Sequence, residues 1–419
     1  MILSSLLLLL LAALGAPLFA IIGAGALLGY ARNDIDLTAV PIEIFGIAET
    51  PVLLAIPLFT FAGYVLSAGR AASRLVRLSA ALVGWLPGGL AMVAVVTCSL
   101  FTAFTGGSGV TIIALGALLY PALLQAGYQE RFTLGLITSS GSLGLLFAPS
   151  LPLILYGIVA EVSIDDLFVA GILPGILMML VLFGFCLWSN RANRRPMAEF
   201  SWPEVFAALR ESAWELPLPI VVLGGIYSGI LAVSEAAAAT VVYVLVVELL
   251  IHRDVRFRDL PGLVRQSMML VGGILLILGI SLASTNYVID AQVPQQLIGV
   301  VTGFISDRTS FLLLLIAFLM LIGCILHIFS ALVLIVPLIL PVAGEYGIDP
   351  VHLGIIFVAT MELGYLLPPI GLNLYISSIR FSQPVLRVCA ATLPFVFILL
   401  VAVLLIAFVT PLSLGLLGR

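Results

Sequence analysis

The sequence predicts an all-α polytopic membrane protein, and three observations support this fold class. Of the 419 residues, 62% are hydrophobic and 9% are charged, whereas soluble proteins carry about 25% charged residues. Apolar runs near the roughly 20 residues that span hydrocarbon recur along the whole chain. Their residues do not alternate between polar and apolar, as the strands of a membrane barrel would. No basic stripe is present, which disfavours nucleic-acid binding, and the cysteine spacings indicate neither a metal site nor a disulfide framework. No covalent cofactor is expected.

Arginine clusters between the apolar runs predict how the chain is oriented. They follow the runs at about 50–68, 167–189 and 236–251, and the positive-inside rule therefore places those three loops in the cytoplasm. The loops around Glu161 and Glu345 lack arginine and are expected outside.

Two short stretches are predicted to lie in the membrane plane. Residues 71–85 and 202–214 carry arginines or acids on one face and apolar residues with Trp on the other, which is typical of interfacial helices. The second stretch belongs to a linker, 196–215, between the two halves of the chain.

The segment TAFTGGSGVT, residues 102–111, interrupts a run of 52 residues, Leu78 to Gln129, without one charged side chain. Non-helical backbone at membrane depth is tolerated only inside protein or beside a water-filled cavity. We therefore expect 89–125 to form a re-entrant hairpin with its tip at 105–109. The alternative is a packing seam, because small residues also let membrane helices approach closely.

A repeat divides the chain into a first unit, 1–195, and a second unit, 216–419. A shift of 220 residues superposes four glycines and prolines of the first unit on identical residues of the second. The matched positions are Pro121, Gly127, Gly144 and Pro149 with Pro341, Gly347, Gly364 and Pro369. Each unit then has a hairpin tip, near 105–109 or 327–330, and a broken helix, near 147–152 or 367–370.

The two units are predicted to have opposite orientations in the membrane. The loop before the first hairpin carries three arginines, whereas the segment before the second carries one. Inverted-topology repeats with broken helices are characteristic of secondary transporters, whose half-helix ends bind anions and cations near the midplane. Three polar side chains near the second tip and break are candidates for that site, namely His327, Glu362 and Asn373. For Glu362 the alternative is a buried structural carboxyl, although intramembrane acids are usually functional.

Longer motifs resemble the large membrane subunit of TRAP transporters (tripartite ATP-independent periplasmic transporters). They are GGSGVTIIALGALLYPALLQAGY, SSGSLGLLFAPSLPLILYG and MELGYLLPPIGLNLY. The resemblance implies Na⁺-coupled uptake of small organic acids, such as C4-dicarboxylates, keto acids or sugar acids, by an elevator mechanism. It also implies a bacterial inner membrane, a small four-helix membrane subunit and an extracytoplasmic substrate-binding protein.

The resemblance also implies which residues form the sites. The expected cation ligands at the first tip and break are Thr105, Gly106, Ser108, Gly144, Phe147, Ala148 and Pro149. Those at the second are Ser330, Gly364, Leu367 and Pro368. Substrate is expected beside them, at Gly107, Gly109, Ser150, His327, Glu362, Pro369 and Asn373.

Two departures and three alternatives accompany this resemblance. Family members often have Pro where this chain has Ala148, and an acid where it has His327. The main alternative is a self-sufficient ion-coupled carboxylate transporter that needs no binding protein. An intramembrane enzyme lacks support from catalytic motifs, and a channel would not need two occluding tips.

Overall fold

The structure is a computed structural model that describes residues 7–8, 10–11, 14–33, 36–86, 88–190 and 200–418. These residues form twenty α-helices and no strand. In chain order the helices are α1 Leu18–Arg32, α2 Ala39–Ala48, α3 Ala55–Ala68, α4 Ala71–Val83, α5 Gly89–Thr105, α6 Ser108–Gln125, α7 Glu130–Ser140, α8 Leu151–Val159, α9 Ile164–Ser189, α10 Trp202–Glu211, α11 Pro217–Tyr227, α12 Val233–Leu245, α13 Leu260–Asp290, α14 Val293–Phe304, α15 Arg308–Ile325, α16 Ile328–Glu345, α17 Pro350–Gly364, α18 Leu372–Phe381, α19 Val385–Phe408 and α20 Pro411–Leu414.

The helices confirm a polytopic membrane protein. Within the described residues, eight are long and apolar enough to cross a membrane. A further pair, Glu130–Leu146 and Leu151–Val159, is bent by 46°, at the break expected near 147–152. The arginines at 191–195 lie outside the described residues, so their loop is not assigned a conformation.

Helix bounds recur at the spacing found in the sequence. Helices α6 and α16 both have 18 residues, and their first residues are 220 positions apart. The turns that follow contain Gly127 and Gly347, with φ of +75° and +65°, a conformation that favours glycine. These bounds agree with a repeated unit, whereas the opposite orientation of the copies and the unit limits 1–195, 196–215 and 216–419 stay predictions.

The two halves of the chain pack across one another. The hairpin helix α6 contacts α18, from the second broken helix, and α16 contacts α8, from the first. Along α6, a Cβ added to Gly109 would lie 2.6 Å from Cδ1 of Ile376. Nearby, Nε of Arg380 donates to the Ile113 carbonyl at 3.0 Å. Each hairpin is therefore held by the broken helix of the other half.

Helices α4 and α10 form where interfacial helices were predicted, but the two arginines of α4 differ in environment. Arg77 is half-exposed and pairs with Glu204 and Glu211 on α10. The Arg77 guanidinium lowers the pKa of the Glu204 carboxyl through a hydrogen bond. Arg74, one turn away, is buried, with 5% of its surface exposed.

A buried ion cluster surrounds Arg74. Its guanidinium contacts three carboxylates. It lies 3.0 Å from Glu248 and 2.6 Å from Asp254, and it also donates a hydrogen bond to Glu215. Burial alone would lower the pKa of Arg74, but the hydrogen bond to Asp254 and the neighbouring acids outweigh it and raise this pKa. His252 lies 3.6 Å from Glu215. This cluster ties α4, which leads into the first hairpin, to residues 215–254.

Candidate functional site

The first hairpin tip is a two-residue break between α5 and α6. Gly106 has φ +66°, and Gly107 is extended. A Cβ on Gly106 would lie 2.6 Å from Cγ of Leu151, the first residue of α8. Glycine is needed at Gly106 both for its backbone conformation and for this close approach.

Hydroxyl groups and a carbonyl cluster immediately behind the first tip. The Thr102 hydroxyl donates to the Thr111 hydroxyl at 2.6 Å and lies 2.8 Å from the Gly141 carbonyl oxygen. Thr105 donates to the Phe101 carbonyl at 3.0 Å. Thr102 and Thr111 were not among the predicted site residues, although they flank the glycine-rich tip in TAFTGGSGVT, and that position is the signal that could have identified them.

The first break packs directly against this hairpin. After α7 the chain forms a short 3-10 turn, Leu143–Leu146, and is extended before α8. A Cβ on Gly144 would lie 2.6 Å from the Ala103 backbone nitrogen, so Gly144 contacts α5. The Ser150 hydroxyl is buried and has no hydrogen-bond partner among the described residues.

The second tip is shorter than the sequence predicted. It consists of Leu326 and His327, while residues 328–330, expected in the tip, already belong to α16. The His327 Nδ1 accepts from the Phe329 N–H at 3.5 Å. The Ile328 N–H donates to the hydroxyl of Tyr365, which lies just after α17. Both N–H groups at the start of α16 are therefore occupied.

The second break is hydrogen-bonded to its hairpin through the backbone. The N–H groups of Ile370 and Gly371 both donate to the Cys324 carbonyl, at 3.2 and 3.0 Å. A Cβ on Gly364 would lie 2.5 Å from Cα of Gly323. Gly364 thus repeats the close contact that Gly144 makes in the first unit.

Both tips line one cavity of about 260 Å³. Five of the predicted site residues contribute to its wall, and they are Gly106, Gly107, Ser108, Gly109 and His327. The rest of the wall consists of residues that were not predicted from the sequence, namely Tyr64, Val110, Ile113, Leu145, Leu270, Ile328, Phe329, Tyr365, Leu372 and Ile376. The other predicted residues do not line it: Thr105, Gly144, Phe147, Ala148, Pro149, Ser150, Ser330, Glu362, Gly364, Leu367, Pro368, Pro369 and Asn373.

Two predicted polar residues lie buried away from the wall of this cavity. Glu362 is 1% exposed, and neither carboxyl oxygen has a hydrogen-bond partner in the described part of the chain. Asn373 donates to the Thr138 carbonyl at 3.4 Å, and the Thr138 hydroxyl donates to Ser377 at 2.9 Å. Asn373 therefore joins the second broken helix to the first.

Two hairpin tips that line one cavity, each packed against a helix break inside a multi-span helical protein, indicate a membrane transport protein. The chain belongs to the family described as "Tripartite ATP-independent periplasmic transporter, DctM component", whose model matches residues 3–412. This membership confirms the TRAP resemblance. The chain is accordingly a multi-pass protein of the bacterial inner membrane and not an enzyme, and its family implies a small membrane subunit and a periplasmic binding protein as partners.

Relatives that are named for different substrates are similar to this chain. The chain is 34% identical to the C4-dicarboxylate TRAP transporter large permease protein DctM of Pseudomonas aeruginosa, covering 91% of this chain and 90% of that protein. It is 33% identical to the ectoine/5-hydroxyectoine TRAP transporter large permease protein UehC of Ruegeria pomeroyi, covering 94% of each. The crystal structure of the Alcanivorax borkumensis YdaH transporter matches the fold, with a TM-score of 0.60 at 16% identity over 90% of this chain and 89% of that chain.

Proposed function

We propose that this chain is the permease subunit of a Na⁺-coupled importer for small organic acids. Substrate arrives from a binding protein and crosses by elevator-type alternating access. The observation that carries the proposal is the shared cavity, because both tips reach it and each tip is packed against a helix break. Such paired breaks can offer carbonyls to cations and N–H groups to an anion at one place.

The oxygen atoms behind the first tip support Na⁺ as the coupling ion. A hard cation prefers oxygen ligands. The Thr102 hydroxyl lies within hydrogen-bond distance of both the Thr111 hydroxyl and the Gly141 carbonyl. The Thr105 and Ser108 hydroxyls flank the same tip. Together with carbonyls at 147–149, they form the proposed first cation site. The second site is proposed at Ser330, Gly364, Leu367 and Pro368, with Pro369 beside substrate.

Reconstitution tests the proposal and its main alternative. Proteoliposomes should contain this chain with or without the small subunit, and uptake should be measured with the binding protein present or absent, in a Na⁺ or a K⁺ gradient. We expect uptake only with all three components and Na⁺. Uptake by this chain alone would favour the self-sufficient transporter, and uptake independent of Na⁺ would refute the coupling ion.

The substrate can be identified through the binding protein. A thermal-shift screen of that protein against organic acids should reveal one class that stabilises it. The same acids should then drive uptake in the reconstituted system. If only uncharged compounds stabilise the binding protein, the proposed organic-acid class is wrong.

Ser108→Ala should weaken Na⁺ dependence more than substrate affinity. Loss of one oxygen ligand is expected to raise the Na⁺ concentration for half-maximal uptake by about tenfold, or about 1.4 kcal/mol. Substrate affinity should change less, because the backbone N–H groups of the tip remain. Ser228→Ala is the matched control, since the Ser228 hydroxyl lies on an exposed turn and donates to the Gly225 carbonyl at 3.2 Å. An unchanged Na⁺ activation curve would remove Ser108 from the cation site.

A further inference from the structure

The cavity between the two tips is closed at one end. Its wall includes residues of α3, α13 and α16. The residues one helical turn beyond these wall positions, toward the body of the second hairpin, are all buried. They are Thr60, Ile274 and Val333, which are 0%, 4% and 1% exposed. Packed side chains therefore block this end of the cavity.

At the opposite end, the same cavity opens between polar side chains. Gln266 lies one turn from the wall residue Leu270 on α13, and Arg380 lies one turn from Ile376 on α18. Ser67 follows the wall residue of α3 by three positions. Residues one turn apart lie on the same side of a helix. Gln266 and Arg380 are exposed, and Ser67 is partly exposed. We refer to Ser67, Gln266 and Arg380 as the vestibule.

The vestibule lies on the side of the arginine-bearing loops. Helix α3 ends just before Arg70, and α13 begins just after Arg258. The Arg70 backbone N–H donates to Asp254 at 3.3 Å, so these two loops lie together. The first hairpin begins after α4, on this same side, and α6 returns toward it. Under the orientation predicted from the positive-inside rule, the vestibule faces the cytoplasm.

The Arg380 guanidinium is fixed beside the cavity but is only partly used. Its Nε donates to the Ile113 carbonyl at 3.0 Å, and Ile113 is a wall residue that is 53% exposed. Among the residues that the structure describes, no carboxylate forms an ion pair with Arg380 and no second acceptor bonds to it. Nη1 and Nη2 remain available, and a guanidinium can bind both oxygens of a carboxylate.

The second unit has no charge at the equivalent position. The shift of 220 residues matches Arg380 with Ala160 and Ile113 with Val333. Ala160 is 7% exposed and Val333 is 1% exposed, so packing closes the equivalent place. The repeated contact between a broken helix and a hairpin therefore does not require a guanidinium. Arg380 accordingly belongs to the open end of the cavity and not to the packing that the two units share.

We propose that Arg380 is a specificity-determining residue that recognises the carboxylate of an organic acid in the vestibule. Nη1 and Nη2 donate to the carboxylate while Nε stays on the Ile113 carbonyl. No Arg, Lys, Asp or Glu lines the cavity itself, so Arg380 adds a full positive charge beside a wall that has none. Its bond to α6 keeps this charge with the first hairpin when that hairpin moves. The inference rests on the proposed function and adds a residue that selects anionic substrates.

Charged thiol reagents test the attraction of anions without a known substrate. Ile113→Cys in a Cys389→Ala background places a reporter beside the vestibule, since the other three cysteines are buried. Its reaction rates with anionic 2-sulfonatoethyl and cationic 2-(trimethylammonio)ethyl methanethiosulfonate should be measured at low ionic strength, in the purified permease with its small subunit. We expect Arg380→Gln to lower the anionic-to-cationic rate ratio about fourfold, as for one unit charge roughly 10 Å away in water.

Arg131→Gln is the matched control for the reagent experiment. Arg131 is also an exposed arginine that donates to one main-chain carbonyl, that of Ala390 at 3.0 Å, but it does not border the cavity wall. We expect this variant to leave the rate ratio unchanged. An unchanged ratio in Arg380→Gln, or equal shifts in both variants, would overturn the inference, because the reporter would then sense no charge or only the general surface charge.

Uptake kinetics connect this attraction to transport. The probe is the organic acid that both stabilises the binding protein and drives uptake by the unmodified complex. We expect Arg380→Gln to raise the KM for this acid about tenfold, with kcat and Na⁺ activation little changed. Arg380→Lys should raise KM less, because it keeps the charge and loses only the planar fork. An unchanged KM in Arg380→Gln would refute the inference and leave the proposed function intact. Absence of Na⁺-dependent uptake by the unmodified complex would instead contradict the proposed function.

Discussion

Arg74→Met is expected to destabilise the protein by about 3–5 kcal/mol, because it leaves buried carboxylates without their cation. Glu215 and Glu248 are 4% and 0% exposed, and Arg74 is the guanidinium that contacts both. The free energy of unfolding should be measured by denaturant titration in detergent micelles.

Arg77→Met on the same helix provides the control for Arg74. Its side chain is 45% exposed, and exposed ion pairs contribute about 0–1 kcal/mol. Both substitutions remove a guanidinium, at positions three residues apart on one helix. The difference between the two losses in free energy of unfolding therefore reports the effect of burial. Equal losses of stability would mean that the cluster around Arg74 is hydrated, contrary to its burial in the structure.

Gly364→Val is expected to separate the second break from its hairpin and to abolish most uptake. The new side chain would meet backbone, with Cα of Gly323 at 2.5 Å, so no flexible neighbour can yield. Overpacking of this kind costs about 1–3 kcal/mol, and 3 kcal/mol corresponds to roughly a hundredfold in occupancy of the packed arrangement. Initial rates of Na⁺-dependent uptake in proteoliposomes measure the effect.

Gly344→Val is the control for this contact. Gly344 lies in α16 of the same hairpin, and a Cβ there would meet no atom within 4 Å. We expect this variant to retain uptake near the unmodified level. Retained uptake in Gly364→Val as well would show that the hairpin and the break can separate without loss of transport.

The sequence predicted those parts of the site that depend on backbone geometry. Gly106, Gly144 and Gly364 lie at close backbone approaches, and Pro149 lies at a helix break. Because these backbone geometries require glycine or proline, the residue type itself is visible in the sequence. The second tip was predicted at 327–330 but lies at 326–327. This tip contains neither glycine nor proline, so no sharp marker for its position exists in the sequence. Its helix begins at Ile328 because Tyr365 and His327 satisfy the first N–H groups.

Long-range contacts explain what the sequence could not predict. Tyr64 and Leu270 reach the cavity from α3 and α13, yet each resembles any other residue of an apolar helix. Arg74 belongs to an arginine-bearing face that predicted an exposed interfacial helix, but its acids come from positions 215–254. Only the folded chain brings these groups together, so periodicity within α4 could not distinguish Arg74 from Arg77.

The Arg74 cluster also determines where the first hairpin can pivot. It anchors the N-terminal end of α4, and the hairpin begins after that helix, at Gly89. The intervening link contains Gly84 and Gly88, and Gly88 has φ +72°. If the hairpin moves relative to this anchor, as the proposed elevator mechanism requires, the chain must change between Arg74 and Gly89, and α5 must slide along α4, against which it packs.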